Sequence, residues 1–93
     1  MIINVLYFAE LKDITNKENE KFELESRDMK ELIDLIIKKY PGLQDLIWDQ
    51  KTQKLRNNIS TIINNQALHT INPLLKKLND ADTVAFLLPV SGG

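Results

Sequence analysis

One amphipathic segment constrains the fold of this 93-residue chain more than any other feature. Its apolar side chains recur at the spacing i, i+3, i+4, i+7, and they are Met29, Leu32, Ile33, Ile36, Ile37 and Tyr40. This spacing places them on one face of an α-helix. Lys38 and Lys39 lie in the last turn, where positive charge suits the helix dipole, and Pro41-Gly42 ends the helix.

The start of this helix has two alternatives. Asp28 with Glu31 matches a capping box, in which the first side chain caps the helix and the second bonds back to the cap. Ser26 is the competing N-cap, because serine is also a favoured residue at this position.

Three segments have the composition of β-strands. Residues 2–8 are apolar on both parities, which indicates an interior strand covered at least in part on both faces. Residues 21–25 alternate, with Phe22 and Leu24 inward. Residues 83–88 are the last strand, and Pro89 ends its pairing because proline cannot donate to a sheet.

Shorter elements join these strands and the helix. Asn64-Asn65 can adopt positive φ, so it predicts a hairpin between residues 59–63 and 66–68. Trp48 is interpreted as a packing residue at the core edge rather than a ligand-stacking residue. The remaining elements are a helical turn at 9–14, a polar turn at 16–19, a short helix at 43–47, a turn at Asn72-Pro73 and a turn at 79–82.

The single long helix cannot bury its apolar stripe alone, so a mixed sheet packed across it is the simplest solution. The predicted fold class is therefore α+β, a two-layer β-grasp. Its first and last strands lie side by side and parallel at the sheet centre, because they are the most apolar. We expect one domain at residues 1–88 and a flexible tail at residues 89–93.

Composition excludes several classes of function. Twelve basic and 13 acidic residues give a net charge of −1, which provides no electrostatic case for nucleic acid or an anionic membrane. The absence of cysteine excludes thiol nucleophiles, disulfides and thiolate metal sites. No apolar run has transmembrane length and the N-terminus lacks a signal-peptide pattern, so we expect a cytoplasmic protein.

Polar residues offer few other candidate sites. His69 is the only histidine, and one histidine does not make a usual metal site. Asp80 and Asp82 are expected to bond backbone groups of their turn. The pairs 38–39 and 76–77, all lysines, are interpreted as solvated faces, with an acidic partner as the alternative. No glycine-rich loop that could hold phosphate is present, so ATP would bind a partner and not this chain.

The sequence closes on LLPVSGG, and the terminal Gly92-Gly93 is either a frayed end or the working part. Glycine lacks Cβ, so both residues permit close approach by another protein. Residues 88–93 extend to at most about 20 Å, enough to enter a narrow channel. Strand alternation points Val84, Phe86 and Leu88 to the core, and leaves Leu87 exposed beside the tail.

Four segments resemble the small, sulfur-carrying subunit of molybdopterin synthase: VLYFAELKDI, KKYPGL, IINNQ and PLLKKLNDADTVAFLLPVSGG. The resemblance covers nearly the whole chain and implies a ubiquitin-like β-grasp fold. Ala81 stands where that family commonly has glycine, so we expect a different turn geometry. Leu88 stands where it commonly has proline, so we expect the strand to pair one residue further.

The resemblance also implies a chemistry. A separate E1-like adenylyltransferase would use ATP to adenylate the α-carboxylate of Gly93, and a sulfur donor would convert it to a thiocarboxylate. The tail would then enter the large catalytic subunit of molybdopterin synthase and give its sulfur to a cyclic pterin precursor. Two loaded carriers are needed per dithiolene, and a heterotetramer of two small and two large subunits is expected.

Each tail residue has an expected role in this chemistry. Gly93 carries the reacting carboxylate, and Gly92 leaves the approach open. Pro89 stiffens the exit, while Val90 and Ser91 provide grip and register in the partner's channel. By position, the resemblance also makes Leu87 a contact for both partners. The chain would bind no cofactor of its own and would act as a carrier that is not catalytic alone.

Three other functions remain open at this point. A thiamine-type sulfur carrier of the same fold is usually shorter, with a briefer opening strand. A ubiquitin-like modifier would join its terminal glycine to a lysine. A plain interaction module would have an idle tail.

Overall fold

The computed structural model describes residues 1–70 and 72–89. Its helices and strands, in chain order, are β1 (Ile2–Leu6), α1 (Glu10–Thr15), β2 (Asn19–Glu23), α2 (Met29–Lys39), α3 (Gln44–Ile47), β3 (Trp48–Asp49), β4 (Lys54–Leu55), β5 (Ser60–Ile63), β6 (Gln66–Ala67) and β7 (Thr83–Leu87). Single 3₁₀ turns lie at Pro41–Leu43 and Pro73–Leu75. None of the helices in the described ranges is long and apolar enough to span a membrane.

Five strands form one mixed sheet in the order β2-β1-β7-β5-β6. The first and last strands pair in parallel, with Val5 opposite Val84, and the other neighbours are antiparallel. This confirms the predicted central pair and the α+β class. Strands β3 and β4 form a separate two-stranded ribbon that was not predicted.

Helix α2 lies across one face of this sheet and forms the second layer. The predicted stripe is confirmed, because Met29, Leu32, Ile33 and Ile36 are at most 1% exposed. They share one core cluster with sheet residues that point to the same side, which include Ile3, Val5, Val84 and Phe86. Burying each such side chain contributes about 1.5–3 kcal/mol, so this stripe is a main source of stability.

The start of α2 combines features of both predicted caps. Asp28 is the N-cap residue by position, but its side chain makes no cap hydrogen bond and pairs with Lys77 instead. Glu31 accepts hydrogen bonds from the Ser26 backbone N–H (2.8 Å) and hydroxyl (2.6 Å), and these bonds lower its pKa. The Asp28 capping box was therefore right in position and wrong in its hydrogen bonds.

The turns follow the sequence predictions closely. Asn64 and Asn65 have φ of 51° and 68°, which confirms the hairpin between β5 and β6. Asp82 accepts a hydrogen bond from the Asn79 N–H of its own turn at 2.8 Å, as predicted. Asp80 instead accepts one from the Ile2 N–H of β1 at 2.7 Å, so the prediction that it bonds its own turn was wrong. Trp48 is 5% exposed in the core cluster, which confirms a packing role.

Strand β7 ends one residue earlier than predicted. Its last pair is Leu87 with Ser60, and β5 does not extend to a partner for Leu88. The neighbouring Ile59 N–H bonds the Arg56 carbonyl instead, which turns the chain away from the sheet. The expected extra pair at Leu88 was therefore wrong.

Ala81 adopts a left-handed conformation with φ of 73°, which favours glycine. The alanine therefore takes a backbone conformation that glycine adopts more readily. The turn is fixed by neighbours, because the Ala81 N–H donates to the Ile2 carbonyl at 2.8 Å.

Replacing Ala81 with glycine is expected to stabilise the fold by about 0.5–1 kcal/mol, because glycine removes the left-handed penalty but loses more chain entropy. The urea midpoint measures the change. Ala67→Gly, in exposed strand β6, is the control and is expected to destabilise. A lower urea midpoint for Ala81→Gly would contradict the prediction that the Ala81 backbone is strained.

Glu20 connects three elements through its nearly buried carboxylate, whose side chain is 8% exposed. It accepts hydrogen bonds from the hydroxyls of Tyr7 (3.0 Å) and Tyr40 (2.8 Å), and from the ammonium groups of Lys17 (3.2 Å) and Lys39. Burial alone would raise the pKa of Glu20, but these four donors outweigh burial and lower it to about 2. Burial and the adjacent carboxylate raise the pKa of Tyr7. The Glu20 cluster thus fastens edge strand β2 to β1 and α2.

The pKa of Glu20 predicts acid sensitivity. Because its folded pKa lies below the ordinary 4.5, its contribution to stability is complete above pH 4.5 and is lost as the pH falls towards 2. Glu20→Gln is expected to lower the free energy of unfolding at pH 7 by about 1–3 kcal/mol and to flatten this acid dependence. Urea titrations across this range measure both, with exposed Glu10→Gln as control. An unchanged acid slope in Glu20→Gln would contradict the assignment.

Candidate docking surface and tail exit

Polar side chains fix the start of β7 at the sheet centre. The Asn64 amide donates to the Asp82 carboxylate and accepts from the Thr83 N–H, both at 2.9 Å. The Asn4 N–H donates to the Asp82 carbonyl at 2.9 Å, which joins the same turn to β1. These bonds set the register of β7, and the register determines where its far end carries the chain.

The sheet face opposite α2 carries an apolar groove of about 370 Å³. Ala85 pairs with Leu6 on one side and Ile62 on the other, so three strands place these side chains together. We call this face the outer apolar surface, and the residues lining its groove are Leu6, Phe8, Ile62, Asn65, Ala85 and Leu87. It lies directly before the point where β7 ends.

Among the described residues, Phe8 is the one aromatic residue that lines this groove, and it is 48% exposed. It precedes Ala9, whose φ of 51° and ψ of −125° are unfavourable for alanine. Strained backbone is often found where a protein presents a functional side chain. An exposed apolar cluster beside such strain is typical of a docking surface.

The predicted site residues fall into two groups. Leu87 points to the outer face as predicted, although it is half-buried in the groove rather than fully exposed. Pro89 is exposed after the end of β7. Val90, Ser91, Gly92 and Gly93 lie outside the described residues, so their roles in threading and chemistry stay predictions.

Sequence reasoning missed Phe8, Leu6 and Ile62 as members of this surface. The sequence did contain a signal for Leu6, because β1 has apolar residues on both faces. A strand with one buried face needs apolar residues only on that face. Ile62 precedes the inward Ile63 and gives the same signal in β5. Surplus apolar residues in β1 and β5, the two strands that flank β7, indicate a second apolar face.

The side chains of the groove can bind but cannot carry out acid, base or nucleophilic chemistry. Five of the six are hydrocarbon and the sixth, Asn65, is a neutral amide. Within the described residues no group of three or more acidic or histidine side chains could hold a metal ion. His69 is exposed. Reactivity therefore has to come from outside this surface.

Comparison with known proteins agrees with this arrangement. Residues 5–93 match the ThiS family. The chain belongs to the ThiS family. It is 32% identical to the molybdopterin synthase sulfur carrier subunit of Mycobacterium tuberculosis, over 98% of this chain and 96% of that protein. These findings confirm the resemblance found in the sequence.

Solved structures extend the comparison of this ThiS-family chain. Small archaeal modifier protein 1 of Methanosarcina acetivorans is 27% identical, with a TM-score of 0.79 over 99% of this chain and 96% of that one. Subunits 1 and 2 of the molybdopterin-converting factor of Helicobacter pylori were solved as a complex. The matching chain is 25% identical, with a TM-score of 0.63 and full coverage of both chains. The ubiquitin-like β-grasp fold is thus confirmed, and the proteins similar to this chain include one named as a sulfur carrier and one named as a modifier.

The opposite faces of β7 predict different costs for neighbouring substitutions. Phe86→Ala leaves a cavity in the core and is expected to lower the free energy of unfolding by about 3–5 kcal/mol. Leu87→Ala removes a half-buried side chain from the outer groove and is expected to cost about 1 kcal/mol or less. Urea denaturation compares the two. Equal costs would show that Leu87 is part of the core and not of a docking surface.

Proposed function

We propose that this ThiS-family chain is the sulfur carrier subunit of a molybdopterin synthase. The observation that carries the proposal is the outer apolar surface, which lies where β7 ends and contains no reactive side chain. A carrier needs an unreactive docking surface that is separate from its reacting terminus, because partners recognise the folded body and the chemistry takes place at the terminus. The match to the mycobacterial carrier along nearly both full lengths supports the same function.

The proposed chemistry takes place at the α-carboxylate of Gly93. A carboxylate is a poor electrophile, so an E1-like partner first joins it to the AMP portion of ATP and releases pyrophosphate. A sulfur nucleophile then attacks the carbonyl carbon and AMP leaves, which produces a thiocarboxylate. The large synthase subunit transfers that sulfur to the pterin precursor, and water restores the carboxylate. Two rounds supply one dithiolene.

The proposed partners dock on the outer apolar surface while the tail reaches their active sites. An extended chain from Leu88 to Gly93 covers at most about 20 Å, so the folded body can remain outside a narrow channel. The structure of the Helicobacter pylori relative with its second subunit supports a two-subunit enzyme. Two carriers and two large subunits are the proposed assembly.

The intact mass of the purified chain tests the chemistry. After incubation with an E1-like enzyme, ATP and sulfide, the mass is expected to rise by the difference between one sulfur and one oxygen atom. A variant with one alanine added after Gly93 is the control and is expected to keep its mass, because a different residue then carries the carboxylate. An unchanged mass with an enzyme that modifies another carrier would contradict the proposal.

Phe8→Ser tests the docking surface. Exposed aromatic residues at the centre of an interface commonly contribute 2 kcal/mol or more, so affinity for the large subunit is expected to fall about 30-fold. Ile14→Ser is the matched control, since Ile14 is 42% exposed but does not line the groove. Calorimetry measures both. Equal effects of the two substitutions would place the interface elsewhere.

A protein modifier is the second candidate function, favoured by the similarity to the archaeal modifier protein. In that case Gly93 would form an amide with a lysine of another protein. Mass spectrometry of cell extracts distinguishes the two, because a modifier leaves its C-terminal residues on target lysines and a dedicated carrier does not.

A further inference from the structure

A second groove lies at the β2 edge of the sheet, on the side that α2 covers and not on the side of the outer apolar surface. It runs between edge strand β2 and helix α2, has a volume of about 500 Å³, and is lined by Lys21, Phe22, Glu23, Leu35, Lys38 and Lys39. Phe22 points to the helix side and Leu35 is half-buried, so the floor is apolar. The rim is charged, with three lysines and one glutamate.

The three lysines of this rim differ in whether they form an ion pair. Lys39 bonds Glu20, and its ammonium group lies 5.9 Å from the centre of the Phe22 ring. Lys21 and Lys38 are exposed and form no ion pair with any residue in 1–70 or 72–89. Lys38 lies beside the apolar floor, whereas Lys21 neighbours the inward Phe22 in β2 and so points to the opposite face of the same edge. Uncompensated positive charge therefore lies on both sides of this edge, which is complementary to an acidic segment with apolar side chains.

The backbone of β2 provides the third element of the groove. Within the described part of the chain, β2 pairs only with β1. Leu24 exchanges backbone hydrogen bonds with Met1, and antiparallel bonds alternate along a strand, so the N–H and C=O groups of Lys21 and Glu23 point away from β1. These outward groups are the template for one more strand.

We infer that this groove binds an extended acidic and apolar segment of a partner protein, which adds as a sixth strand beside β2. Backbone bonds to Lys21 and Glu23 provide affinity, and an apolar side chain enters between Phe22 and Leu35. Acidic residues of the segment meet Lys21 and Lys38. Lysine on an edge strand disfavours neutral or basic strands, so the same charges make the edge selective.

This binding is separate from the proposed sulfur chemistry. The outer apolar surface lies on the face of the sheet opposite α2, whereas this groove lies on the α2 side of the β2 edge. A carrier docked through Leu87 can therefore hold a second protein at β2 at the same time. The Glu20 cluster supports such a site, because it holds β2 rigidly against α2.

Nuclear magnetic resonance of the labelled chain tests the inference. The probe is a blocked peptide that alternates valine with threonine and ends in aspartates, and the control peptide has lysines in place of the aspartates. Saturable shifts are expected by about 1 mM of the acidic peptide, together with slower hydrogen exchange at the Lys21 and Glu23 amides. The basic peptide is expected to produce neither.

A pair of charge-reversal variants tests whether Lys38 contributes to peptide binding. Lys38→Glu is expected to weaken peptide binding about tenfold, because it replaces attraction by repulsion near the surface. Lys54→Glu makes the same charge change at the exposed residue of β4 and is expected to have no effect. Equal weakening by both variants would mean that net charge alone attracts the peptide.

Three other results would overturn the inference. Without saturable shifts, the groove does not bind such a segment. Shifts without slower exchange at Lys21 and Glu23 mean that the peptide adheres by charge and adds no strand. Protection of these amides that rises with protein concentration and needs no peptide means that a second copy occupies the edge. None of these results depends on Gly93, so the proposed sulfur chemistry is tested independently.

Discussion

The parallel pairing of β1 with β7 is the constraint on which the rest of the structure depends. It places the last strand at the centre of the sheet, where Val5 lies opposite Val84 and both are buried beneath α2. The alternation of β7 then sends Phe86 into the core and Leu87 to the opposite face. A central strand cannot shift register without moving every core side chain to solvent, so the exit of the tail is held in a fixed place.

The two faces of the sheet have different roles, one in stability and one in docking. One face and α2 make the core, while the other gathers apolar side chains from three strands and exposes them. Such a surface costs solubility and contributes little to stability, so it is best explained as a place for another protein. In a ThiS-family chain this division suits a carrier or a modifier equally, and the partner and the terminal residues determine the reaction.

Much of the core could be predicted from periodicity. The stripe of α2 and the inward residues Phe22 and Leu24 follow from spacings of 3.6 and 2, and both were confirmed. Asn64-Asn65 predicted its hairpin because asparagine tolerates positive φ. These features depend on residues close together in sequence, where local physical rules are strongest.

The pairing of the first and last strands was predicted, but individual contacts with distant residues could not be. Glu20 has the same parity as the inward Phe22 and Leu24, but only the fold reveals that Tyr7 and Tyr40 approach it from other elements. The end of β7 depends on where β5 begins, which is set by the turn at Arg56 and Ile59. Phe8 was predicted to lie in the first strand, but β1 ends at Leu6, and the sequence did not show that Phe8 is exposed beyond that end.

The separation of docking from reaction is tested most directly by the chain that lacks Gly93, added to a synthase assay that contains the loaded carrier. We expect it to inhibit competitively, with an inhibition constant near the dissociation constant of the intact chain, because the outer apolar surface is unchanged. We also expect it to deliver no sulfur. Failure to inhibit, or sulfur delivery without Gly93, would contradict a body that docks and a terminus that reacts.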